Sequence, residues 1–394
     1  MIEICPKNEC TGCGACCDSC SHLAIEMFPD QYGYFYPKID SNKCVDCGLC
    51  QRVCPNNSVK LFFEPQTCWI SASKTLSDEF TSASGGLSSI LSRYVIKNNG
   101  VVYGCTMERP ALAEHIRVDK IEDLPLLKGS KYVQSNTVGI FRQVRQDLRK
   151  KIIVLFVGTP CQISGLKSFL RKDYDNLITI DLVCHGVESQ QILIDALHCE
   201  FPNININDYQ LAFRRKNSKS IDYGLFLKKH GRIVHAHKFL HSLFTVGFLF
   251  GLFYRENCYN CKYAKSQRVG DITLGDFWDD KKEYKALAGS IGKSMVLINT
   301  TKGKELFEHC KDLLTIIPGQ LEDFKQRNGQ LQRPMKMHEN RSLFLKLYIS
   351  KGFKEAAETS LNKTIAHIKK GRVLSLIYSI PGTMFLVNLL KKII

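Results

Sequence analysis

Apolar residues follow two different spacings along the chain, and each spacing predicts a different kind of element. Near-continuous apolar runs at 151–157 and 178–183 predict buried parallel strands, which are covered on both faces. Apolar residues spaced three and four apart predict helices at 87 to about 98, 190–199, 302–314 and 341–370. The alternation of strands and helices predicts an α/β body with a mostly parallel or mixed sheet, followed by a helical C-terminal tail.

Two longer apolar stretches approach the length of a membrane span. Phe239 to Tyr254 holds 16 residues without an acidic or basic side chain other than His241, but it is short for a span, so we predict a buried core helix. Val373 to Leu390 holds 18 residues, but Pro381 interrupts it, so we predict a packed or interfacial tail. We therefore expect no transmembrane helix.

Cysteine departs most from ordinary composition. The chain has 394 residues, of which 44% are hydrophobic and 23% charged, and these fractions exclude wholesale disorder and a collagen-like structure. Of its 18 cysteines, ten fall within the first 54 residues. The start from Met1 to Lys7 has no basic leader followed by an apolar core, so we expect no signal peptide and a cytoplasmic protein. Clustered cysteines in that compartment favour metal ligands over disulfides.

Two four-cysteine runs in this N-terminal segment have the same spacing. Both fit CxxCxxCxxxC, the run of bacterial ferredoxins, in which three cysteines bind one 4Fe-4S cluster and the fourth binds the other cluster. We therefore predict cluster one at Cys10, Cys13, Cys16 and Cys54, and cluster two at Cys44, Cys47, Cys50 and Cys20. Zinc knuckles come as separated CxxC pairs, so we favour iron-sulfur over zinc. Ser21 replaces the proline that usually follows the fourth cysteine, and the adjacent Cys16 and Cys17 leave open which of the two is the ligand.

Four further cysteines lie at matching places in the body. The first buried strand leads to Thr159 and Gln162, which fit a T-x-x-Q capping box that places Cys161 in the first turn of a helix. Cys184 follows the second buried strand, so both cysteines lie at the carboxyl edge of the sheet, where α/β folds keep their sites. An isolated CxxC pair farther along the chain completes a set of four. We predict a third 4Fe-4S cluster held by Cys161, Cys184, Cys258 and Cys261, with buried packing cysteines as the alternative.

A Ser/Gly turn precedes the first predicted helix of the body. Ser84, Gly85 and Gly86 present N–H groups that suit an anion such as a flavin phosphate, and an ordinary helix N-cap is the alternative for the same residues. The chain lacks GxGxxG and GxxxxGK[ST], so we expect neither a Rossmann fingerprint nor a P-loop.

Charge is divided between the N-terminal segment and the rest of the chain. Residues 1–64 carry five basic and eight acidic side chains, whereas residues from 320 onward carry 14 basic and five acidic ones, within a net charge of +16. Such a basic surface favours an acidic protein, an anionic membrane face or nucleic acid. Aromatic and basic motifs for nucleic-acid recognition are absent, so we expect no nucleic-acid partner. Peripheral contact with the inner face of the membrane through the basic tail stays open.

Six ordered motifs resemble those of one known family. The first motif is the pair of ferredoxin-type cysteine runs. The other five follow in chain order: Ser84–Gly86, Gly129–Ser135, Gly158–Gln162, Cys184–Gly186, and Cys258–Cys261 leading into Gly270–Asp276. Over about residues 1–300, the chain resembles the beta subunits of coenzyme F420 hydrogenases and dehydrogenases. The resemblance implies an FAD-containing unit that links iron-sulfur clusters to a two-electron acceptor. It implies FAD contacts at Ser84, Gly85, Gly86, Ser130, Lys131 and Gln134, with a solvated surface lysine as the alternative for Lys131.

These patterns together predict three parts. They are an α+β ferredoxin-like two-cluster module at 1–64, an α/β flavin- and cluster-binding body at 65–315, and a basic helical extension at 316–394. The expected protein is an iron-sulfur flavoprotein oxidoreductase that passes electrons between a ferredoxin-type donor and a deazaflavin-like or other organic acceptor. The alternatives are an electron-transfer subunit without a substrate site and an enzyme that uses Cys161 as a nucleophile. Some members of the family accompany surface-polysaccharide gene sets, so the resemblance also implies surface-polysaccharide enzymes as possible partners.

Overall fold

The computed structural model describes residues 3–58, 61–217, 220–278, 287 and 292–378 of the chain. Its strands are β1 (Ile25–Pro29), β2 (Phe35–Ile39), β3 (Thr67–Ser73), β4 (Val101–Arg109), β5 (Leu112–Val118), β6 (Val154–Gly158), β7 (Leu177–Leu182), β8 (Gln210–Lys216), β9 (Ile221–Lys229), β10 (Arg232–Lys238), β11 (Ile272–Asp276), β12 (Ser294–Ile298) and β13 (Leu314–Pro318). Its α-helices are α1 (Ala15–Ser19), α2 (Leu49–Arg52), α3 (Leu76–Thr81), α4 (Leu87–Lys97), α5 (Ile140–Arg149), α6 (Pro160–Leu170), α7 (Gln190–Glu200), α8 (Leu243–Leu249), α9 (Thr301–Cys310), α10 (Leu321–Arg327) and α11 (Arg341–Tyr378).

The N-terminal module is built from a hairpin and two short helices. Strand β1 pairs antiparallel with β2, and α1 and α2 each begin inside one of the cysteine runs. Gly14 and Gly48 precede these helices with φ of +75° and +67°, a backbone conformation that residues with a Cβ rarely adopt. The two cysteine runs therefore make equivalent turns, in agreement with a duplicated ferredoxin-like module.

An eight-stranded mixed sheet forms the body, in the order β13-β3-β12-β11-β7-β6-β4-β5. Strands β11, β7, β6 and β4 are parallel to one another, whereas the strands on either side of them are antiparallel. Helices α4 and α9 pack on one face, and α5 and α6 pack on the other. The two predicted buried strands are β6 and β7, at the middle of the sheet. The mixed α/β body is thus confirmed.

A second sheet, which the apolar pattern does not predict, lies beside the first. It is antiparallel and three-stranded, in the order β10-β9-β8. Its inner side packs with α7, α8 and α11 around a core that includes Phe213, Leu225, Phe244 and Phe353. Because β8 also carries Arg214 and Lys216, this sheet brings basic side chains to the edge of the body.

Two predicted helices are longer than the ones that form. The stretch 239–254 is largely buried as expected, but its α-helix covers only Leu243–Leu249, because Gly251 turns the chain with a φ of +66°. The helix predicted at 302–314 ends at Cys310, and residues 314–318 form an edge strand paired with β3. In both cases the pattern of apolar residues does not specify where the chain turns.

The C-terminal tail is helical, as predicted. It forms α11, which is interrupted by a kink at Gly352, where φ is +80°. In the described part of the chain, none of the helices is long and apolar enough to span a bilayer. Residues 379–390 of the predicted packed or interfacial segment lie outside the described residues.

Candidate functional site

Two cavities in the N-terminal module are each lined by cysteines from both runs. The first has Cys10, Cys13, Cys16 and Cys54 among its lining residues. The second has Cys20, Cys44, Cys47 and Cys50 among its lining residues. The fourth cysteine of each run thus lies with the first three of the other run, which is the crossed arrangement of two-cluster ferredoxins. Cys16, and not the buried Cys17, faces the first cavity.

Each cavity is surrounded by four cysteines from the two runs. A 4Fe-4S cube takes four thiolates, each bound to a different iron atom. Among the residues that the structure describes, no three Cys, His, Asp or Glu side chains are grouped so as to hold one metal ion. The number of cysteines around each cavity matches the number that one cube takes.

Cys5, which stands outside both runs, also lines the first cavity. Its single thiol proton can be shared in hydrogen bonds with Cys10 or Cys54, and these bonds raise the pKa of Cys5. The same bonds lower the pKa of Cys10 to about 6 and that of Cys54 to about 7. Cys5 therefore favours the thiolate form of two predicted ligands.

The four cysteines predicted for a third cluster are neighbours in the fold. Cys161 lies in the first turn of α6, Cys184 follows β7, and the CxxC pair lies in the loop before β11. Burial raises the pKa of all four thiols, to about 11 for Cys161 and about 12 for Cys184. Repulsion from the other thiolates raises the pKa of Cys161, Cys184 and Cys258 further. These thiols are therefore neutral on their own, and they would act as thiolate ligands only beside a cationic group that offsets the charge.

A buried ion pair supports the loop that carries Cys261. Arg268 donates to Asp181 at 3.1 Å, and both side chains are at most 2% exposed. Asp181 also accepts a hydrogen bond from the backbone N of Gly270 at 2.9 Å, which ties the end of β7 to the start of β11. Burial raises the pKa of Cys184 and Cys261, and the Arg268 charge acts in the opposite direction.

The predicted capping box at the start of α6 is present, and it continues into a buried hydrogen-bond chain. Gln162 donates to the hydroxyl of Ser135 at 2.8 Å, and Ser135 lies 3.1 Å from Nδ1 of His115. Nε2 of His115 lies 3.0 Å from the carbonyl oxygen of Val157. Because that oxygen only accepts, His115 carries its proton on Nε2, and burial lowers its pKa to about 4. A neutral His115 thus joins the 129–135 motif to the turn that holds Cys161.

The Ser/Gly turn is bonded to the segment that leads into β12. The hydroxyl of Ser84 donates to the carbonyl oxygen of Lys293 at 2.7 Å. The backbone N of Gly85 donates to the hydroxyl of Ser294 at 3.0 Å. Gly86 then begins α4 with a φ of +87°. The turn is therefore held firmly at the N-terminus of a helix.

The other residues assigned to FAD lie in two different surroundings. Nζ of Lys131 donates to two carbonyl oxygens of the preceding turn at 2.9 and 3.0 Å, and burial lowers the pKa of this amine. Ser130 lies against the hydroxyl of Tyr132. Nε2 of Gln134 donates to the carbonyl oxygen of Thr11 at 3.1 Å, in the loop of the first cavity. Gln134 is thus engaged with the cysteine module, and its contact with FAD stays a prediction.

Arg214 joins the Ser/Gly turn to Tyr132. Its guanidinium donates to the Tyr132 hydroxyl at 2.6 Å and to the carbonyl oxygen of Ala83 at 3.1 Å. It also pairs with both carboxylate oxygens of Asp276, at 2.9 and 2.7 Å, where β11 ends. Lys216 donates to a carbonyl oxygen of the same turn at 2.5 Å, and burial lowers its pKa to about 8. Sequence reasoning missed both of these cations.

The first cavity lies directly against α6. A Cβ placed on Gly165 would lie 2.8 Å from the sulfur of Cys13, so a larger residue would force the two apart. Burial raises the pKa of Tyr263, and the nearby thiols of Cys161, Cys13 and Cys261 add to that effect. The first cavity and the third cysteine set therefore adjoin through α6 and the ring of Tyr263.

Two regions of the chain match known families. Residues 152–321 match the family described as the C terminus of the coenzyme F420 hydrogenase/dehydrogenase beta subunit, and residues 9–58 match the 4Fe-4S dicluster domain. The first match spans the third cysteine set, and the second spans both four-cysteine runs. No curated protein matches the chain in sequence. A solved structure from Methanosarcina barkeri, a xenon derivative of the F420-reducing NiFe hydrogenase complex, is similar at 13% identity with a TM-score of 0.47, over 78% of this chain and 95% of that chain.

Proposed function

We propose that this chain, in which a 4Fe-4S dicluster domain precedes a C-terminal domain of the coenzyme F420 hydrogenase/dehydrogenase beta subunit family, is an iron-sulfur flavoprotein oxidoreductase. It passes electrons between a ferredoxin-type donor and a two-electron acceptor, either a deazaflavin or another small organic molecule. The observation that carries the proposal is that the third cysteine set adjoins the first cavity on one side and, on the other, lies near the cations Arg214 and Lys216 that contact the Ser/Gly turn. His185, which follows Cys184, lies within electrostatic reach of Arg214.

Three sets of four cysteines are assigned as cluster ligands. They are Cys10, Cys13, Cys16 and Cys54; Cys44, Cys47, Cys50 and Cys20; and Cys161, Cys184, Cys258 and Cys261. When bound, the clusters supply one-electron transfer, and FAD couples it to two-electron chemistry. The protein contributes partial burial of the third set and the nearby charge of Arg268, which stabilises negative charge there.

Two partly buried lysines support an anionic ligand at the Ser/Gly turn. Lys131 and Lys216 donate to backbone carbonyl oxygens, and within the described ranges neither forms an ion pair with a carboxylate. Glu79 and Asp276 lie within electrostatic reach of Lys216, and a phosphate at the N-terminus of α4 would add a closer negative charge for both lysines. We therefore assign Ser84, Gly85, Gly86, Ser130 and Lys131 to FAD, and we add Arg214 and Lys216 to that set.

The alternative of a cysteine nucleophile receives little support. Burial raises the pKa of Cys161 to about 11, whereas an activated nucleophilic thiol has a lowered pKa.

The other alternative is an electron-transfer subunit without its own substrate site. Such a subunit would hold the same clusters but would bind no small acceptor. A cluster-loaded chain that oxidises reduced ferredoxin but binds no small acceptor would have that role. Surface-polysaccharide enzymes stay candidate partners on the resemblance alone.

FAD binding to anaerobically reconstituted protein tests the proposal. Lys216→Gln removes a charge beside the turn, and we expect FAD affinity to fall by about tenfold or more, since a hydrogen bond to a charged group contributes about 1.5–3 kcal/mol. Arg215→Gln is the matched control, because Arg215 pairs with Asp222 at 2.7 Å instead. It should change FAD affinity by less than about threefold. Protein that holds its clusters but binds no FAD after reconstitution would refute the flavin assignment.

A further inference from the structure

A fully buried guanidinium lies between the cysteine module and the third cysteine set. Arg255 has no exposed surface, and its carbonyl oxygen accepts a hydrogen bond from the backbone N of Cys258 at 2.9 Å. Its side chain crosses into the N-terminal module, where Nε donates to the carbonyl oxygen of Cys10 at 2.8 Å. Nη1 donates to Oε1 of Gln134 at 3.1 Å. One arginine thus contacts the loop of the first cavity from the loop of the third set.

This charge has no carboxylate partner in the part of the chain that the structure describes. Nη2 is buried and makes no hydrogen bond there, and the guanidinium lies 4.1 Å from the ring centre of Tyr36. Burial of an arginine without a counter-charge is strongly unfavourable. Two groups that can carry negative charge, the thiols of Cys10 and Cys161, lie within its electrostatic reach. The arginine is therefore placed where the protein would bind anionic clusters.

The two cysteine runs differ at the position that faces this arginine. Gly12 and Asp46 each stand two residues after the first cysteine of their run, and both have positive φ, +67° and +50°. A Cβ on Gly12 would lie 3.1 Å from Cζ of Arg255, so glycine lets the guanidinium approach. Asp46 is exposed, and its carboxylate lies 3.6 Å from the sulfur of Cys44. Cluster one thus faces a buried cation where cluster two faces a carboxylate.

We propose that the fixed positive charge of Arg255 makes cluster one easier to reduce than cluster two. Arg255 is thus a positioning residue, which acts through the reduction potential of cluster one. The proposal rests on the proposed function, because it concerns the clusters that the two cavities are assigned to hold. Adding an electron makes a cluster more negative, so a nearby cation stabilises the reduced form and a nearby carboxylate destabilises it. Electrons that enter at cluster two, whose Cys47 is exposed, therefore move towards cluster one and the body.

Coulomb's law sets the expected size of this bias. A unit charge within about 10 Å, at an effective dielectric constant of about 20, changes the distribution of an electron between two sites by roughly tenfold or more. For a one-electron couple, tenfold corresponds to about 59 mV in reduction potential. Asp46 is exposed and screened by solvent, so its effect should be smaller.

Redox titration of the cluster-loaded protein, followed by electron paramagnetic resonance, tests the proposal. In the unsubstituted protein, cluster one should have the higher potential, and Cys44→Ser, which alters only cluster two, assigns the signals. Arg255→Gln should lower the potential of cluster one by about 59 mV or more and leave cluster two unchanged. Arg255→Lys, which keeps the charge, should restore most of the difference. Asp46→Asn should raise the potential of cluster two alone.

The outcomes separate this inference from the proposed function. Loss of the 4Fe-4S signals from the unsubstituted protein would contradict the proposed function. Signals from both clusters, with a cluster-one potential that Arg255→Gln does not change, would overturn the role of Arg255 and leave the function intact. If the Arg255→Gln protein does not bind cluster one, the unsubstituted protein gives the answer. Equal reduction potentials of its two clusters overturn the proposal. A cluster-one potential that stays higher than that of cluster two in Asp46→Asn supports it, because the carboxylate then no longer contributes to the difference.

Discussion

The contact that holds the N-terminal module to the body leads to a quantitative prediction. Asp18 of α1 accepts hydrogen bonds from the backbone N of Gly139 at 2.6 Å, of Phe141 at 2.9 Å and of Arg142 at 3.4 Å. These are the first amides of α5, so a carboxylate from one domain caps a helix of the other. The side chain of Arg142 also donates to three carbonyl oxygens beside α1.

Asp18→Asn keeps the size of the side chain and removes part of this cap. Burial raises the pKa of Asp18, and the amides and Arg142 lower it, so the bonds to the carboxylate offset much of its desolvation. Asparagine has one acceptor oxygen, and its NH₂ group would face an amide donor, which leaves at least one buried N–H unpaired. Such a group costs about 1–3 kcal/mol. We therefore expect the start of α5 to lose about 2 kcal/mol, or roughly 30-fold in its opening equilibrium.

Amide hydrogen exchange at residues 139–142 measures this loss directly. Exchange should be roughly 30-fold faster in Asp18→Asn than in the unsubstituted protein. Asp40→Asn is the control, because Asp40 belongs to the same module, is partly exposed and accepts from the backbone N of Asn42 at 3.0 Å, a bond that asparagine can keep. Equal protection of residues 139–142 in Asp18→Asn and the unsubstituted protein would refute the docking role of Asp18.

Two further substitutions test the packing and the buried hydrogen bonds near the third set. Gly165→Ala should destabilise the protein by about 1–2 kcal/mol in urea titration, because overpacking against Cys13 outweighs the better helix propensity of alanine. Gly329→Ala, at a site with nothing within 4 Å, should be neutral or stabilising, and an equal loss in both variants would contradict the packing argument. The lowered pKa of His115 means that its contribution to stability is present above about pH 6.5 and is lost as the pH falls towards about 4. His115→Gln, which keeps a donor and an acceptor, should remove that part of the pH dependence of the urea midpoint, and an unchanged pH profile would contradict a neutral His115.

Local patterns explain why much of the site is visible in the sequence. The spacing of a cysteine run and the T-x-x-Q capping box involve residues only a few positions apart, so the chain order alone describes them. The apolar runs that become β6 and β7 are recognisable because both faces of a central parallel strand are covered. The carboxyl ends of parallel strands meet at one edge, and for this reason the two strand ends predict that Cys161 and Cys184 lie together.

The residues that the sequence did not reveal act across distant segments. Arg214 and Lys216 lie on β8 of the second sheet, and a basic residue on a strand is ordinarily a solvated edge. Arg255 reaches Cys10, which is 245 positions away, and no spacing rule connects the two. The length of the helix within 239–254 depended on the turn at Gly251, which the apolar composition does not specify.

The iron content of the anaerobically reconstituted chain tests the third cluster most directly. Three 4Fe-4S clusters require about 12 iron atoms per chain, and Cys258→Ser should reduce that number to about 8. Cys199→Ser, which alters a cysteine of α7 outside all three sets, should leave it at about 12. An iron content of about 8 that Cys258→Ser does not change would contradict the third cluster.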